Sequence, residues 1–293
     1  MPTRMQDQVT TGQAQRLIRE FLAKGGVETA ELDARLLTLL VTGLDDTALI
    51  MRENDPLPAA QFNALEALAG KRAAGVPVSR LMHRREFFSL SFQISKHTLD
   101  PRPDSELLVA QILKQAGNYR NPRLLDLGTG SGCLLIACLA HCPDATGLGI
   151  DISRGALRQA RINAVLNGVR ARAAFRQGDW LDRIKGRDRQ RFDLILSNPP
   201  YIPRGNIPGL AREVKDHDPW RALDGGTDGL DIYRRIIPEM RAVLNKDGFA
   251  AVEVGQGQAD SVADLFVKSG YRQISVMPDL SGVARVVSGF LVD

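Results

Sequence analysis

Two hydrophobic periods divide the chain. From about residue 10 to about 75, apolar side chains recur at intervals of three and four, the spacing of one face of a helix. Leu17, Ile18, Phe21 and Leu22 make a first stripe that stops at Gly25-Gly26, a C-terminal helix signal. Thr29 is placed to cap a second helix, whose Leu32, Leu36, Leu39 and Leu40 stripe ends at Gly43. Pro58 fits the first turn of a later helix carrying Phe62, Leu65 and Leu68 and ending near Gly75. The pattern predicts a helical bundle over residues 1–78. The period then drops to two: Phe88, Leu90, Phe92 and Ile94 alternate with Ser89, Ser91 and Gln93, which predicts a strand in a hairpin. We therefore read residues 79–105 as a linker with a β-hairpin. Asp100-Pro101-Arg102-Pro103-Asp104-Ser105-Glu106 is a stiff lead into a helix from Leu107 to Gln115, with Asp104 or Ser105 as its cap.

Beyond Arg123 short apolar runs alternate with helical stripes, the mark of βαβ units and a parallel sheet. The predicted strands are 123–127, 146–151, 173–177, 192–197, 248–254, 271–276 and 283–291. The helices between them run from the glycines after 127 to about Cys142, from Ser153 to about Asn167, from about Gly229 to Leu244, and from near Gln258 to Ser269. Residues 202–227 carry no clear period. The expected class is α/β over 106–293, with an all-helical leader.

Composition narrows the setting. At 293 residues the chain suits two domains at about 150 residues each, and it needs no disulfide or metal staple. The net charge of +4 suits an ordinary solvated surface better than RNA, DNA or an RNA-associated partner, which a basic balance can also favour. Cys133, Cys138 and Cys142 cluster on one predicted helix; an odd count points to a reducing compartment, and small buried side chains account for them better than a metal site. No run reaches about 18 apolar residues, so we expect a cytoplasmic protein with no membrane attachment.

Candidate chemistry sits at the strand ends. Gly128-Thr129-Gly130-Ser131-Gly132 follows the first apolar strand, where glycines let backbone approach a ligand and a helix N-terminus offers free N–H groups. The dinucleotide fingerprint has its third glycine five residues after the first, where this chain has Cys133, and the Gly-Lys-Ser/Thr of a phosphate loop is missing. The loop fits an uncharged nucleoside with a short charged tail. Asp151, at the end of the next strand, is placed to accept both ribose hydroxyls; a helix cap is its other possible use, although Ser153 could serve there. Asp126 is expected to face the amino-acid end of the ligand, and Asp179 with Trp180 to meet its base. The fourth strand runs into Asn198-Pro199-Pro200-Tyr201. Two prolines stiffen that turn and withhold N–H donors, leaving carbonyls, an amide and a phenol for a planar hydrogen-bonding group. No Gly-x-Ser-x-Gly elbow is present, and His83, His97, His141 and His217 lack metal-ligand spacing.

The loop and the acidic strand ends resemble the class I S-adenosylmethionine-dependent methyltransferases. The resemblance implies a Rossmann-like seven-stranded sheet in order 3-2-1-4-5-7-6 with strand seven antiparallel, S-adenosyl-L-methionine as cofactor, and the turn beside the glycine loop. Asn-Pro-Pro-Tyr in this setting is shared by amino methyltransferases acting on adenine N6, cytosine N4 and glutamine amides. Over nearly its full length the chain resembles the protein-(glutamine-N5) methyltransferases of the HemK/PrmC family. The carrying stretches are Asp100 to Glu106, Leu125 to Gly132, Asn198 to Tyr201, His217-Asp-Pro-Trp-Arg-Ala-Leu-Asp-Gly-Gly226, and Asp279-Leu-Ser-Gly282 with Arg285. Arg80, His83 and Asp100 depart from that family's usual residues. The resemblance implies methyl transfer to the glutamine amide of the Gly-Gly-Gln motif in class I peptide chain release factors, with Asn198, Pro199 and Tyr201 acting on the amide and the helical leader holding the substrate. A ribosomal-protein glutamine is the nearest alternative, and an adenine-N6 DNA or RNA methyltransferase the more distant one. We expect a monomer with no nucleic-acid partner and no metal.

Overall fold

A computed structural model of the protein describes residues 9–182 and 191–292. Residues 1–8 of the expected leader, and 183–190 and 293 of the expected catalytic domain, lie outside the described residues. Two compact units divide the chain between His83 and Arg84.

The first unit holds α1 (Thr11–Lys24), α2 (Ala30–Thr42), α3 (Asp46–Met51), α4 (Ala59–Ala73) and α5 (Val78–Met82). Thr10 and Gln13 close a reciprocal capping box at the start of α1, which satisfies two donors that the first helical turn leaves free. The core is built from Ala14, Ile18 and Leu22 of α1, Ala34 and Leu37 of α2, and Leu65 and Ala69 of α4. The expected leucine stripe of α2 is therefore turned partly outward: Leu32 and Leu40 are 49% and 40% exposed, and Leu36 and Leu39 are half-buried. The inward face carries Asp33, Ala34, Leu37 and Thr38 instead. An ion pair decides this rotation. The Arg72 Nε of α4 lies 2.6 Å from Asp33 Oδ2, both side chains being almost fully buried. Thr29 does not cap the backbone of α2; its hydroxyl donates to the same Asp33 oxygen at 2.9 Å.

The second unit opens with a hairpin of β1 (Arg84–Phe87) and β2 (Leu90–Gln93). Phe88 and Ser89 are its turn, with φ of +50° and +57°, so the alternation seen in sequence starts one turn before the strand does. Both central residues being left-handed matches the twist of the flanking strands. α6 (Glu106–Ala116) follows a 3₁₀ turn and has no side-chain cap; Asp104 pairs with Arg285 at 3.0 Å, and Ser105 is engaged elsewhere.

Next come β3 (Arg123–Leu127), α7 (Cys133–His141), β4 (Thr146–Asp151), α8 (Arg154–Leu166), β5 (Ala173–Gln177), β6 (Phe192–Ser197), the short α9 (Arg212–Lys215), α10 (Asp231–Met240), β7 (Leu244–Glu253), α11 (Ala259–Lys268), β8 (Tyr271–Pro278) and β9 (Ala284–Leu291). The sheet order is β5-β4-β3-β6-β7-β9-β8. Counted from β3 this is 3-2-1-4-5-7-6, with β9 antiparallel to both neighbours. The central strands are largely apolar because both faces are covered. Leu124, Leu194 and Leu196 pack with residues of α6 and α7, while Leu125, Ile195 and Val252 pack with residues of α10 and α11. α10 ends sooner, and β7 starts sooner, than the periodicity predicts, because β7 already pairs with β6 at Leu244↔Phe192 before a register shift.

Among the described residues no helix is long and apolar enough to cross a membrane, and no group of three or more His, Cys, Asp or Glu could hold a metal ion. The buried pair in the helical unit makes a direct prediction. Asp33→Ala leaves the Arg72 guanidinium buried without its carboxylate, which should destabilise that unit by about 3–5 kcal/mol; chemical denaturation followed by circular dichroism reads the loss.

Candidate active site

β3 pairs in parallel with β6, with Leu127 opposite Ser197, so the loop after β3 and the turn after β6 leave the sheet side by side. Gly128, Gly130 and Gly132 have φ of +72°, +55° and +81°, conformations that cost a side-chained residue about 1 kcal/mol or more. The coil folds the loop back on β4: the N–H groups of Gly128 and Thr129 both donate to the Ile150 carbonyl at 2.9 Å. The Gly130 N–H donates to Asp151 Oδ2 and the Ser153 N–H to Oδ1, each at 2.8 Å. Ser153, not Asp151, caps α8, its hydroxyl accepting from the Ala156 N–H at 3.2 Å. Burial raises the pKa of Asp151, against these two backbone donors.

After β5, Trp180 adopts a left-handed backbone, φ +51°, and lays its indole against the loop. A Cβ added to Gly128 would sit 3.3 Å from the ring and crowd it. Asp179 is held by Arg235 Nη1 at 3.1 Å. Gly128, Thr129, Gly130, Ser131, Asp151, Asp179, Trp180, Asn198 and Pro200 all line one cavity of about 620 Å³, a size typical of cofactor pockets. Residues 96–99 and 219–222 add to its wall. A left-handed glycine cradle, a facing aromatic, and a carboxylate with lone pairs to spare on each oxygen fit the nucleoside and charged tail of S-adenosylmethionine.

A second cavity of about 340 Å³ adjoins it and shares Asn198, Leu99, Arg102 and Ala222; Tyr201, Glu253 and Arg285 belong to the second alone. Asn198 thus stands on the boundary. Its Nδ2 donates to Ser105 Oγ at 3.0 Å. The Tyr201 carbonyl accepts from Gln258 Nε2 at 2.9 Å, and its phenol is pushed up to about 12, first by burial and then by the Glu253 carboxyl. The His217 to Gly226 stretch braces the turn: the Ile202 N–H donates to the Leu223 carbonyl at 3.0 Å and the Gly225 N–H to the Ile202 carbonyl at 2.9 Å. A Cβ on Gly225 would lie 2.8 Å from the Tyr201 backbone, so glycine permits the approach. Asp218 ties the same stretch to the linker by accepting from Arg102 Nη2 at 2.6 Å and from the Asp100 N–H at 3.3 Å.

Asp126, Gly132 and Pro199 line neither cavity. Asp126 is fully buried. Its Oδ2 accepts the Thr129 hydroxyl at 2.6 Å, so it shapes the loop from behind rather than facing a ligand. Two residues of the site escape the sequence patterns. Ser105 reads as a helix cap, and Glu253 reads as part of an apolar strand. The one signal for Glu253 is an acidic residue alone in the run Phe249-Ala-Ala-Val-Glu-Val254; it is 1% exposed.

Burial, and secondarily the charge of Asp151, push the Asp126 carboxyl up to about 7, with the Thr129 bond opposing. The folded state therefore holds a proton that the unfolded chain releases near pH 4. The stability this contributes is complete below about pH 4 and is lost as pH rises through about 7. Asp126→Asn keeps an acceptor for Thr129 and cannot ionise, so its melting temperature should fall less than that of the unsubstituted protein between about pH 5 and about pH 8. Parallel slopes in the two melting series would mean Asp126 ionises normally.

Comparison with known proteins places this geometry. The PrmC N-terminal domain matches residues 13–82 and the methyltransferase small domain residues 86–210. The release factor glutamine methyltransferase of Rhodospirillum rubrum is 45% identical over 267 residues, covering 90% of this chain and 80% of that one. Its counterpart in Bradyrhizobium diazoefficiens is 42% identical over 280 residues, covering 94% and 93%. Among solved structures, the hMettl16 catalytic domain in complex with a MAT2A 3′UTR hairpin superposes with a TM-score of 0.57 at 16% identity, over 77% of this chain and 82% of that one, a likeness of fold. The chain belongs to the release factor glutamine methyltransferase family and is an S-adenosylmethionine-dependent methyltransferase.

Proposed function

We propose that the protein methylates the side-chain amide nitrogen, N5, of the glutamine in the Gly-Gly-Gln motif of class I peptide chain release factors, and that the helical unit holds the release factor. The observation that carries the chemistry is Asn198, standing on the boundary of the two cavities with its amide nitrogen tethered to Ser105. The larger cavity takes the cofactor and the smaller one the glutamine.

S-adenosylmethionine supplies, when bound, an electrophilic methyl group. Asp151, with one lone-pair direction free on each oxygen, accepts the ribose hydroxyls; Trp180 covers the base, and Asp179, oriented by Arg235, bonds to it. The backbone of Gly128 to Gly132 lies under the charged tail. Asp126 serves through Thr129.

An amide nitrogen is a weak nucleophile because its lone pair is delocalised into the carbonyl. Ser105 occupies the nitrogen of Asn198, which leaves Oδ1 to accept one N–H of the substrate amide; the Pro199 carbonyl, one residue on and outside both cavities, is given the other on the family resemblance. These two acceptors stabilise the nitrogen as it pyramidalises and its N–H bonds polarise. Neither proline has an N–H and both φ angles are set, so the acceptors need little reorganisation. Tyr201, a neutral phenol whose pKa burial pushes further up to about 12, packs against the amide plane. The proton leaves only after the nitrogen has been methylated, when it is acidic enough to pass to water.

Asn198→Ala should lower turnover at least about tenfold, as loss of a preorganised acceptor does, while calorimetric titration finds cofactor affinity within a few-fold; equal loss of both would contradict the assignment. Asp151→Ala should do the reverse and abolish cofactor binding. Substrate identity is tested by supplying labelled S-adenosylmethionine with a purified release factor, ribosomal proteins, DNA and RNA, then mapping the methyl group by mass spectrometry. Label on the Gly-Gly-Gln glutamine is expected; label confined to ribosomal protein or nucleic acid sinks the proposal.

A further inference from the structure

Glu253 is the buried carboxyl at this site that the chemistry above leaves unused. β6 and β7 are parallel with Ser197 opposite Val252, so Asn198 and Glu253 come next, side by side, at the edge of the sheet. Glu253 lines the second cavity with Asn198. Its Oε2 is buried and has no hydrogen-bond partner, while Ser105 and Asn198 both act on the carboxyl as donors. Ser105, only 3% exposed, accepts from Asn198 Nδ2 at 3.0 Å.

We propose that Glu253 is a positioning residue whose ionised carboxylate, acting on Asn198 both directly and through Ser105, orients the Asn198 amide with Oδ1 toward the substrate. This deepens the role given to Asn198 above and rests on it. A carboxylate can only accept, so Ser105 must turn its O–H toward Glu253. Its lone pairs then face Asn198 and can take only the NH₂ end of that amide. A protonated Glu253 can donate instead, Ser105 is free to turn its hydrogen round, and the amide loses its reason to prefer one orientation. Asn198 with Oδ1 and Nδ2 exchanged would present donors to a substrate amide that is itself a donor.

The switch falls in an accessible range. Burial pushes the Glu253 carboxyl up to about 7, against the donation from Ser105. The charges acting on it include Asp104, which raises its pKa, and Arg285, which lowers it, and Arg102 lines the same cavity; Tyr201, Tyr233 and Cys133 also lie within its field and stay neutral there. The active form is the deprotonated one, so positioning is complete above about pH 8 and lost as pH falls through about 7.

Two measurements test this. The first needs no substrate: the Asn198 side-chain amide resonances, identified as those missing from Asn198→Ala, are followed against pH by ¹H–¹⁵N spectroscopy in the intact protein. They should titrate with a midpoint near 7, stay still in Glu253→Gln, and move less in Ser105→Ala, where only the direct contact with Glu253 is left. Resonances that do not titrate, or that titrate equally in Glu253→Gln, overturn the proposal. The second is turnover on a release factor: kcat should fall through the same midpoint on acidification, and Glu253→Gln should lower kcat about tenfold at about pH 8 and flatten the profile, with the KM for S-adenosylmethionine unchanged. An acid limb that survives in Glu253→Gln also overturns it. If the amide titrates as expected but methylation goes to a different substrate, the positioning role stands and the release-factor assignment falls.

Discussion

Leu127, Ser197 and Val252 stand level in β3, β6 and β7, and the site depends on that registration. Because the three strands are parallel and central, their C-terminal ends open together where the strand order reverses, the place where open α/β sheets bind ligands. The glycine loop, the Asn198 turn and Glu253 are the first residues to leave the ladder, or the last within it. None could reach the others if any strand slipped, since a one-residue shift turns every side chain to the other face.

The protein handles buried charge in two ways. In the helical unit Asp33 is matched directly by Arg72, which fixes how α2 turns. In the catalytic unit Asp126 and Glu253 have no such partner within the core, and burial moves both carboxyls up to about 7. Each sits behind a functional segment and touches it through a side chain: Asp126 through the Thr129 hydroxyl, Glu253 through Ser105 and Asn198. A carboxyl that gains nothing from an ion pair is retained at the cost of its desolvation, and in both places the return is control of how a small polar group is turned.

The long stretch between β6 and α10, aperiodic in sequence, does its work by close packing. Gly225 lets its backbone lie against Tyr201, Asp218 grips Arg102 and the Asp100 backbone, and residues 219–222 complete the wall of the larger cavity. Cofactor wall, linker and acceptor turn are thereby parts of one bonded network, which explains why so little of the stretch follows a helical or strand period.

The five parallel strands follow from patterns readable in the chain, while their order was implied by the resemblance to class I methyltransferases and is the order the sheet has. Runs such as Phe192 to Ser197 are apolar on both faces and have no competing arrangement, and the alternation with helices leaves few topologies. The glycine loop, Asp151 and the Asn198 turn were legible for the same reason: each is a local break at the end of a strand. Which face of a helix turns inward was not legible. Leu32 and Leu40 have the better apolar spacing, yet Asp33 with its distant partner Arg72, 39 residues on, takes the inner position. Nor could local pattern reveal that Asp126 is sealed behind Thr129 while Asp151 meets the cavity, or that Ser105, 93 residues before Asn198, holds its amide. Periodicity reports how a segment meets water; hydrogen bonds and ion pairs between segments far apart in sequence are settled only when the tertiary structure brings the groups together.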